Sequence, residues 1–405
     1  MDAADDGALS RRRVLELADE KGVYCGKLLA DMGADVIKIE RPGGDATRSI
    51  PPFWQDQPDQ SLFFLYMNTS KRGLTLDITH PEGQVLFKKL ARTADVIIET
   101  FPPGHLDALG LGYDTLHEAN RRLVLTSITG FGQTGPRRGF ASSDLVSSAL
   151  GGAPYVTGVE EDPPVTLAGS QAHVVAALFA AVSSLIALYR SAVSGEGQHV
   201  DISVEEAIVS ATHICGVGKW LDDGIIPRRR GTGLFASVPS GAYPCKDGLV
   251  YLMVNRPLHW KALAQWISEV TGNREVLNPT FEGPSSNRQP YRDLLDIYVC
   301  DLTSRLTVGE AYHEGQRRHL AFTPVNTAAA VAEDAHLAAR GYFVDVEHPG
   351  NAMLRYPGAP YRHAETAWKI ARHAPAVGEH NEEIYGRELG MTHETLRALA
   401  EDGVI

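Results

Sequence analysis

The chain has 405 residues, 43% of them hydrophobic, enough for a large core and a smaller second one at roughly 100–200 residues per domain. Its 50 Asp and Glu outnumber 38 Lys and Arg, and the formal charge of −12 disfavours nucleic acid and membrane surfaces as partners. No unbroken apolar run reaches the roughly 18 residues that span a bilayer, and MDAADDGALSRRR does not read as a secretory signal. Cys25, Cys215, Cys245 and Cys300 form no CxxC pair, which points to free thiols in a reducing cytoplasm rather than a disulfide frame or a metal site.

In chain order, RVLEL (13–17) predicts a strand, VYCGKLLADMG (23–33) a helix with a glycine stop, and DVIKIE (35–40) a second strand. Strand, helix and strand this close together imply a βαβ unit. The pattern recurs: PEGQVLFKKLARTA leads into DVIIET, and YDTLHEANRR leads into LVLTSITGFG. Strands alternating with helices predict an α/β domain with a doubly wound parallel sheet. The turn after the first strand, ELADEKGVYCG, lacks the GxGxxG that would cradle a dinucleotide pyrophosphate. Glu40 ends the second strand where a ribose-binding acid can sit, but without the glycine motif it reads as a solvated strand end.

TLAGSQAHVVAALFAAVSSLIALY (166–189) predicts a long apolar helix, and SGEGQHVDIS after it a glycine turn and a short strand. GIIPRRRGTGLFASVPSGAYPCKDGLVYLMV then shifts to Gly, Pro and Arg and ends in a hairpin around KDG, which places a boundary near 225. The expected layout is 1–224 as a large domain, 225–330 as a smaller inserted α+β domain, and 331–405 returning to the large one. LHWKALAQWISEVTG and YRDLLDIYVCDLTSRL are amphipathic helices of the insert, and GEHNEEIYGRELGMT predicts a terminal helix.

VLEL, LLADMGADVIKIERPGGDATR, NTSKRGLTLD, ADVIIETFPPGHLDALGLGYDTL, LVLTSITGFGQTGP, SGEGQHVDIS, TPVNTAAAVAEDAHLAARGYF and VGEHNEEIYGRELG follow one another in an order that resembles the family III CoA-transferases, the CaiB/BaiF type. The resemblance covers nearly the whole chain. It implies a Rossmann-like large domain made from both chain ends, an inserted small domain, and two chains interlocked as a homodimer or as a heterodimer with a homologous subunit. It also implies the activity: CoA passes between an acyl-CoA thioester and a small carboxylic acid, with coenzyme A as substrate and no prosthetic group. Relatives racemise or dehydrate acyl-CoA thioesters.

CoA is polyanionic at its adenosine end and needs fixed cations and backbone donors. Arg41 follows the second strand at the sheet edge where such ligands bind. By resemblance, Arg41, Met67, Asn68, Ser70 and Lys71 fall on adenine and phosphate contacts, and Thr100, Phe101 and Pro102 on a further contact loop. Each cation also reads as an ordinary surface charge. Lys21, Gly22 and Val23 fall where the family brings backbone near the thioester. Many relatives carry asparagine where Thr100 stands and arginine where Ala108 stands; Arg137 or Arg138, after GQTGP, is the substitute anchor.

In the transferases an aspartate near the start of the long helix attacks the thioester, and backbone donors stabilise the developing oxyanion. His173 occupies that position. Four readings stay open. His173 itself acts as nucleophile or base; Asp144, which also reads as a helix N-cap, serves instead; the chain is the non-catalytic member of a hetero-oligomer; or the protein is a racemase, although Ser143 stands roughly where that subgroup has its histidine. Gln171 is placed to donate to a thioester oxygen, and the glycine-rich stretch 231–243 resembles the family's mobile shielding segment.

Overall fold

Every residue of RVLEL except its first is buried, and the run forms β1 (Arg13–Leu17) at the centre of a six-stranded sheet. With β2 (Asp35–Glu40), β3 (Arg72–Thr75), β4 (Val96–Glu99), β5 (Val124–Thr129) and β6 (His199–Ser203), the order is β3-β2-β1-β4-β5-β6 and every pairing is parallel. Leu15 sits opposite Ile37 on one side and Ile97 on the other. The strand order reverses between β1 and β4, which opens a crevice outside their carboxyl ends. This computed structural model describes residues 7–405 apart from 59, 214, 235, 236, 350 and 351.

Alternating side chains send the apolar strands into two cores. Val14, Val36, Val96, Ile98 and Ile128 pack on one face with α1 (Val23–Asp31) and with the alanines of α7 (Gln171–Ser194), among them Ala172, Ala176 and Ala180. Leu15, Ile37, Ile97 and Leu125 pack on the other face with Leu86, Phe87 and Leu90 of the helix Pro81–Ala91 and with Tyr385 and Leu399 near the chain end. The sheet is therefore doubly wound, and residues near the chain end pack on one of its faces. Among the described residues α7 alone is long and apolar enough to cross a membrane, and half of that stretch is buried against the sheet and its neighbours. Its opposite face leaves Phe179, Val182, Ile186, Tyr189 and Val193 exposed at one-turn spacing.

Two elements differ from expectation. Sequence patterning names no strand between DVIKIE and DVIIET, but Arg72–Thr75 is an edge strand. Residues from the far end of the chain cover that edge: His380 N–H donates to the Gly73 carbonyl at 2.9 Å, and Thr75 N–H donates to Asn381 Oδ1 at 3.0 Å. The expected terminal helix is a π-helical segment, Glu382–Glu388, separated from a last helix, His393–Glu401, by Gly390 at φ +69°.

The large unit comprises the chain up to Ala153, Leu167–Val217 and Ala339–Ile405; the small unit comprises Pro154–Thr166 and Gly218–Ala338. Pro154–Thr166, which the composition break leaves with the large domain, groups with the small unit. Arg229 binds it there through the carbonyls of Val159, Glu160 and Asp162 at 2.9–3.3 Å. The small unit is α+β: the hairpin around KDG supplies β7 (Ser240–Pro244) and β8 (Leu249–Met253), β9 (Ala321–Pro324) completes an antiparallel sheet, and Trp260, Trp266, Leu263 and Phe322 fill its core. Phe235 and Ala236 of the glycine-rich stretch 231–243 lie outside the described residues.

Candidate functional site

The crevice is a cleft of about 700 Å³. Its walls are the residues that follow the strands: Ala18 and Asp19 after β1, Arg41 and Pro42 after β2, Leu76–Thr79 after β3, and Thr100–Pro102 after β4. Arg41 is exposed and makes no ion pair among the described residues, so its guanidinium is available to an anion. Glu40 is not available to a ribose. Arg48 grips its carboxylate at two contacts of 2.7 Å, and the Asp45 N–H adds a third at 3.1 Å.

Beneath the cleft lies a fully buried ion cluster. Glu16, Lys38 and Lys71 are each 0% exposed. Lys71 Nζ reaches both Glu16 oxygens at 2.7 and 2.8 Å, the Asn68 carboxamide oxygen and the Val23 carbonyl; Lys38 Nζ lies 3.8 Å from Glu16 and donates to the Ala18 carbonyl. Burial lowers the Lys71 pKa to about 8 even though Glu16 opposes the shift. Only glycine fits at 26, since a Cβ there would stand 1.6 Å from Glu16 Oε2. Ser70 is likewise committed, donating to Asp31 at 2.6 Å, and Met67 packs against the sheet core. Met67, Asn68, Ser70 and Lys71, which fall on contact positions by the resemblance, are not among the residues that line this cleft. Residues of that same segment do reach it, but five and more positions later, at Leu76–Thr79.

The β1–α1 loop spans residues 18–22, and its Ala18 and Asp19 line the cleft. Lys21 pairs with Asp19, and the Asp19 N–H donates to Thr100 Oγ1 at 2.9 Å, tying this loop to the one after β4. Gly22 permits that approach: a Cβ would meet the Ala18 and Thr100 methyls at 2.8 and 2.9 Å. Val23 is buried and contributes its carbonyl to Lys71. Phe101 and Pro102 are cleft wall, with the Phe101 ring tilted against His105 at 4.7 Å between centroids. Arg137 is elsewhere, paired with Glu205 at 2.8 Å.

His173 sits in the first turn of α7, 5% exposed, and neither ring nitrogen has a hydrogen-bond partner among the described residues. Burial lowers its pKa, outweighing the nearby charges of Asp144 and Glu20, so the ring is neutral at physiological pH. Asp144, at the start of α6 (Asp144–Leu150), accepts the His173 backbone N–H at 3.1 Å. It caps α7, whose own Ser170 supplies no side-chain cap. Gln171 directs its amide to the carbonyls of Ala168 and Gly169 at 3.0 and 3.3 Å rather than outward. Asp144 thus holds the helix end, and the His173 ring beside it is uncharged.

The sequence matches the profile of CoA-transferase family III over residues 9–381. The chain belongs to that family. It is 38% identical over 387 residues to the succinyl-CoA:(R)-benzylsuccinate CoA-transferase subunit BbsE of Thauera aromatica, covering 93% of each chain. It is 33% identical over 404 residues to a succinyl-CoA:mesaconate CoA-transferase of Haloarcula hispanica, covering 98% of this chain and 100% of the other. A crystal structure of a CaiB/BaiF family protein from Brucella suis superimposes with a TM-score of 0.82 at 28% identity, covering 94% and 99% of the two chains. The function of this family III protein is CoA transfer between an acyl-CoA and a carboxylic acid.

Sequence patterning missed two sets of residues. Leu76–Thr79 look like the plain end of a strand and become cleft wall because β3 lies at the sheet edge. Glu16, Lys38 and Glu99 did carry a signal, since each is a charge embedded in an otherwise apolar strand.

Proposed function

We propose that this chain is the CoA-binding, non-nucleophilic subunit of a heteromeric CoA-transferase whose homologous partner supplies the attacking aspartate. The observation that carries this reading is His173: a neutral, buried, unpartnered imidazole at the position where the family resemblance puts the nucleophile. A carboxylate attacking a thioester must be ionised and free, and Asp144 is engaged as a helix cap. The relative BbsE is itself named as a subunit, which agrees with this reading.

The cleft takes the acyl-CoA, with Arg41 toward the phosphates and the loops after β1 and β4 toward the thioester. Succinyl-CoA is the donor to test first, because the BbsE and mesaconate enzymes are both named for it. The exposed apolar stripe of α7, with Phe179, Val182, Ile186 and Tyr189, supports an obligate partner on that face and an interlocked pair of chains.

The test is a transfer assay with succinyl-CoA and a panel of dicarboxylic acids, run on the chain alone and on the chain co-expressed with its homologous partner. The expected result is no turnover alone and turnover in the pair, with His173→Ala in the pair within about twofold of wild type, since it touches no step of the chemistry. Turnover by the isolated chain that His173→Ala abolishes would establish the histidine as the working nucleophile or base instead.

A further inference from the structure

Next to the cleft, sharing Pro102 and His105 with it, is a second cavity of about 220 Å³. It contains Glu99 at the end of β4, Ser127 of β5 and His199 of β6. The Ser127 hydroxyl neighbours the Glu99 carboxylate and favours its ionised form, and its Oγ stands 2.9 Å from His199 Nε2. Tyr113 stacks on His199 at 5.7 Å and on His117 at 4.9 Å, which fixes the His199 ring from outside. At the other end of this chain of contacts, Glu99 Oε2 accepts the Phe101 N–H at 2.6 Å. Phe101 and its ring neighbour His105 form cleft wall, and Thr100 Oγ1 holds the Asp19 N–H of the opposite wall.

A carboxyl group buried to 4% exposure at the end of an apolar strand is destabilising, and an amide or hydroxyl could close the same turn at lower cost. Glu99 also lies outside the His173 region where the thioester chemistry is expected. We infer that Glu99 and Ser127 are positioning residues for the acyl-CoA cleft: through the Phe101 N–H they hold the Thr100–Phe101–Pro102 turn in the shape that receives the ligand. This inference rests on the cleft being the acyl-CoA site.

The hold depends on charge, because an ionised carboxylate accepts an N–H more strongly than a neutral carboxyl. Burial raises the Glu99 pKa to about 7, so the two forms exchange in the working range. Lys21 favours the ionised form and Asp19 opposes it; His199 has its pKa lowered by burial; His105, Asp107, Tyr113 and Asp114 line the same cavity. Ligand affinity therefore rises with pH as Glu99 ionises.

The experiment measures succinyl-CoA affinity by calorimetry between about pH 5.5 and about pH 8.5, bracketing the Glu99 titration, for wild type, Glu99→Gln and Ser127→Ala in the assembly in which the protein is isolated. A partner subunit's sites are identical in all three preparations and cancel. Wild type is expected to tighten roughly fivefold across the range, the difference between a neutral and a charge-assisted hydrogen bond. Glu99→Gln is expected to bind weakly at every pH with that extra pH dependence gone, while unfolding no earlier than wild type above pH 7. A wild-type pH profile in Glu99→Gln overturns the inference. Absence of succinyl-CoA binding by wild type at any pH overturns the cleft assignment and the inference with it. Hydrogen exchange of residues 100–105 without ligand gives a second reading: faster exchange in Glu99→Gln at pH 8 supports the hold on the turn, and unchanged exchange overturns it.

Discussion

Arg41 and Lys71 are both cations beside strands of one sheet, and both fall on CoA contacts by resemblance, yet the fold gives them opposite roles. Arg41 follows β2 into the cleft, exposed and unpaired, where a guanidinium can meet phosphate. Lys71 precedes β3 and points under the cleft, where it neutralises Glu16 and grips the carbonyl at the start of α1. With Lys38 on the Ala18 carbonyl, the buried cluster holds both ends of the loop that frames the ligand. Charge at a site edge is therefore not enough to assign a ligand contact; which end of a parallel strand the residue occupies decides it, because ligands meet these sheets at carboxyl ends.

The contrast can be broken most severely at Lys71. Lys71→Met leaves the Glu16 carboxylate buried with Lys38 at 3.8 Å as its remaining ion partner, and about 3–5 kcal/mol of stability should be lost in urea unfolding. Adding Glu16→Gln should recover part of that loss, since it removes the stranded charge; if the double variant is no better than the single, the cluster is not held together by this pair.

Glu99 comes next and shows itself through pH. Its folded pKa of about 7 lies above the ordinary 4.5, so the folded state holds a proton that the unfolded state releases. Its stability contribution is full below the ordinary carboxyl range and falls as pH rises toward 7, levelling above it. Relative to wild type, Glu99→Gln should gain on the order of 3 kcal/mol between about pH 4 and about pH 8, read from urea midpoints across that range. A constant difference between the two proteins contradicts a shifted Glu99.

Smaller still is Asp144→Ala, which removes the cap of α7 and should cost about 0.5–2 kcal/mol. If instead it abolishes transfer by the assembled enzyme at unchanged stability, Asp144 is catalytic and the cap reading fails. Arg41→Ala sharpens the comparison from the other side: stability should move by less than about 0.5 kcal/mol, as for an unpaired surface residue. Its succinyl-CoA affinity should fall at least about tenfold, the value of one charge-assisted contact to phosphate.

The doubly wound sheet was legible because β1, α1 and β2 follow one another with short turns and near-continuous apolar strands. β3 was not, since RGLT is four residues long and starts on a cation whose burial depends on distant partners. Arg72 is held by Asp35, Glu383 and Glu388 at 2.6–2.8 Å, and the last two come from the far end of the chain. Smaller separations in sequence, 55 and 29 residues, likewise hid the Glu16–Lys71 pair and the cap that Asp144 gives α7. The cleft loop after β2 was readable from position, as a segment that follows a parallel strand, whereas the loops after β1 and β4 came from the family resemblance. The place of His173 came from family resemblance, but its isolation came from packing: the ring is buried, and neither nitrogen has a hydrogen-bond partner among the described residues although Asp144 and Glu20 lie close enough to act on its charge.

The account turns on which chain forms the covalent intermediate. The assembled enzyme, incubated with succinyl-CoA and digested for mass spectrometry, should carry the acyl or CoA adduct on an aspartate of the partner subunit and none on this chain. An adduct on His173, or on any carboxylate of this chain, would contradict it.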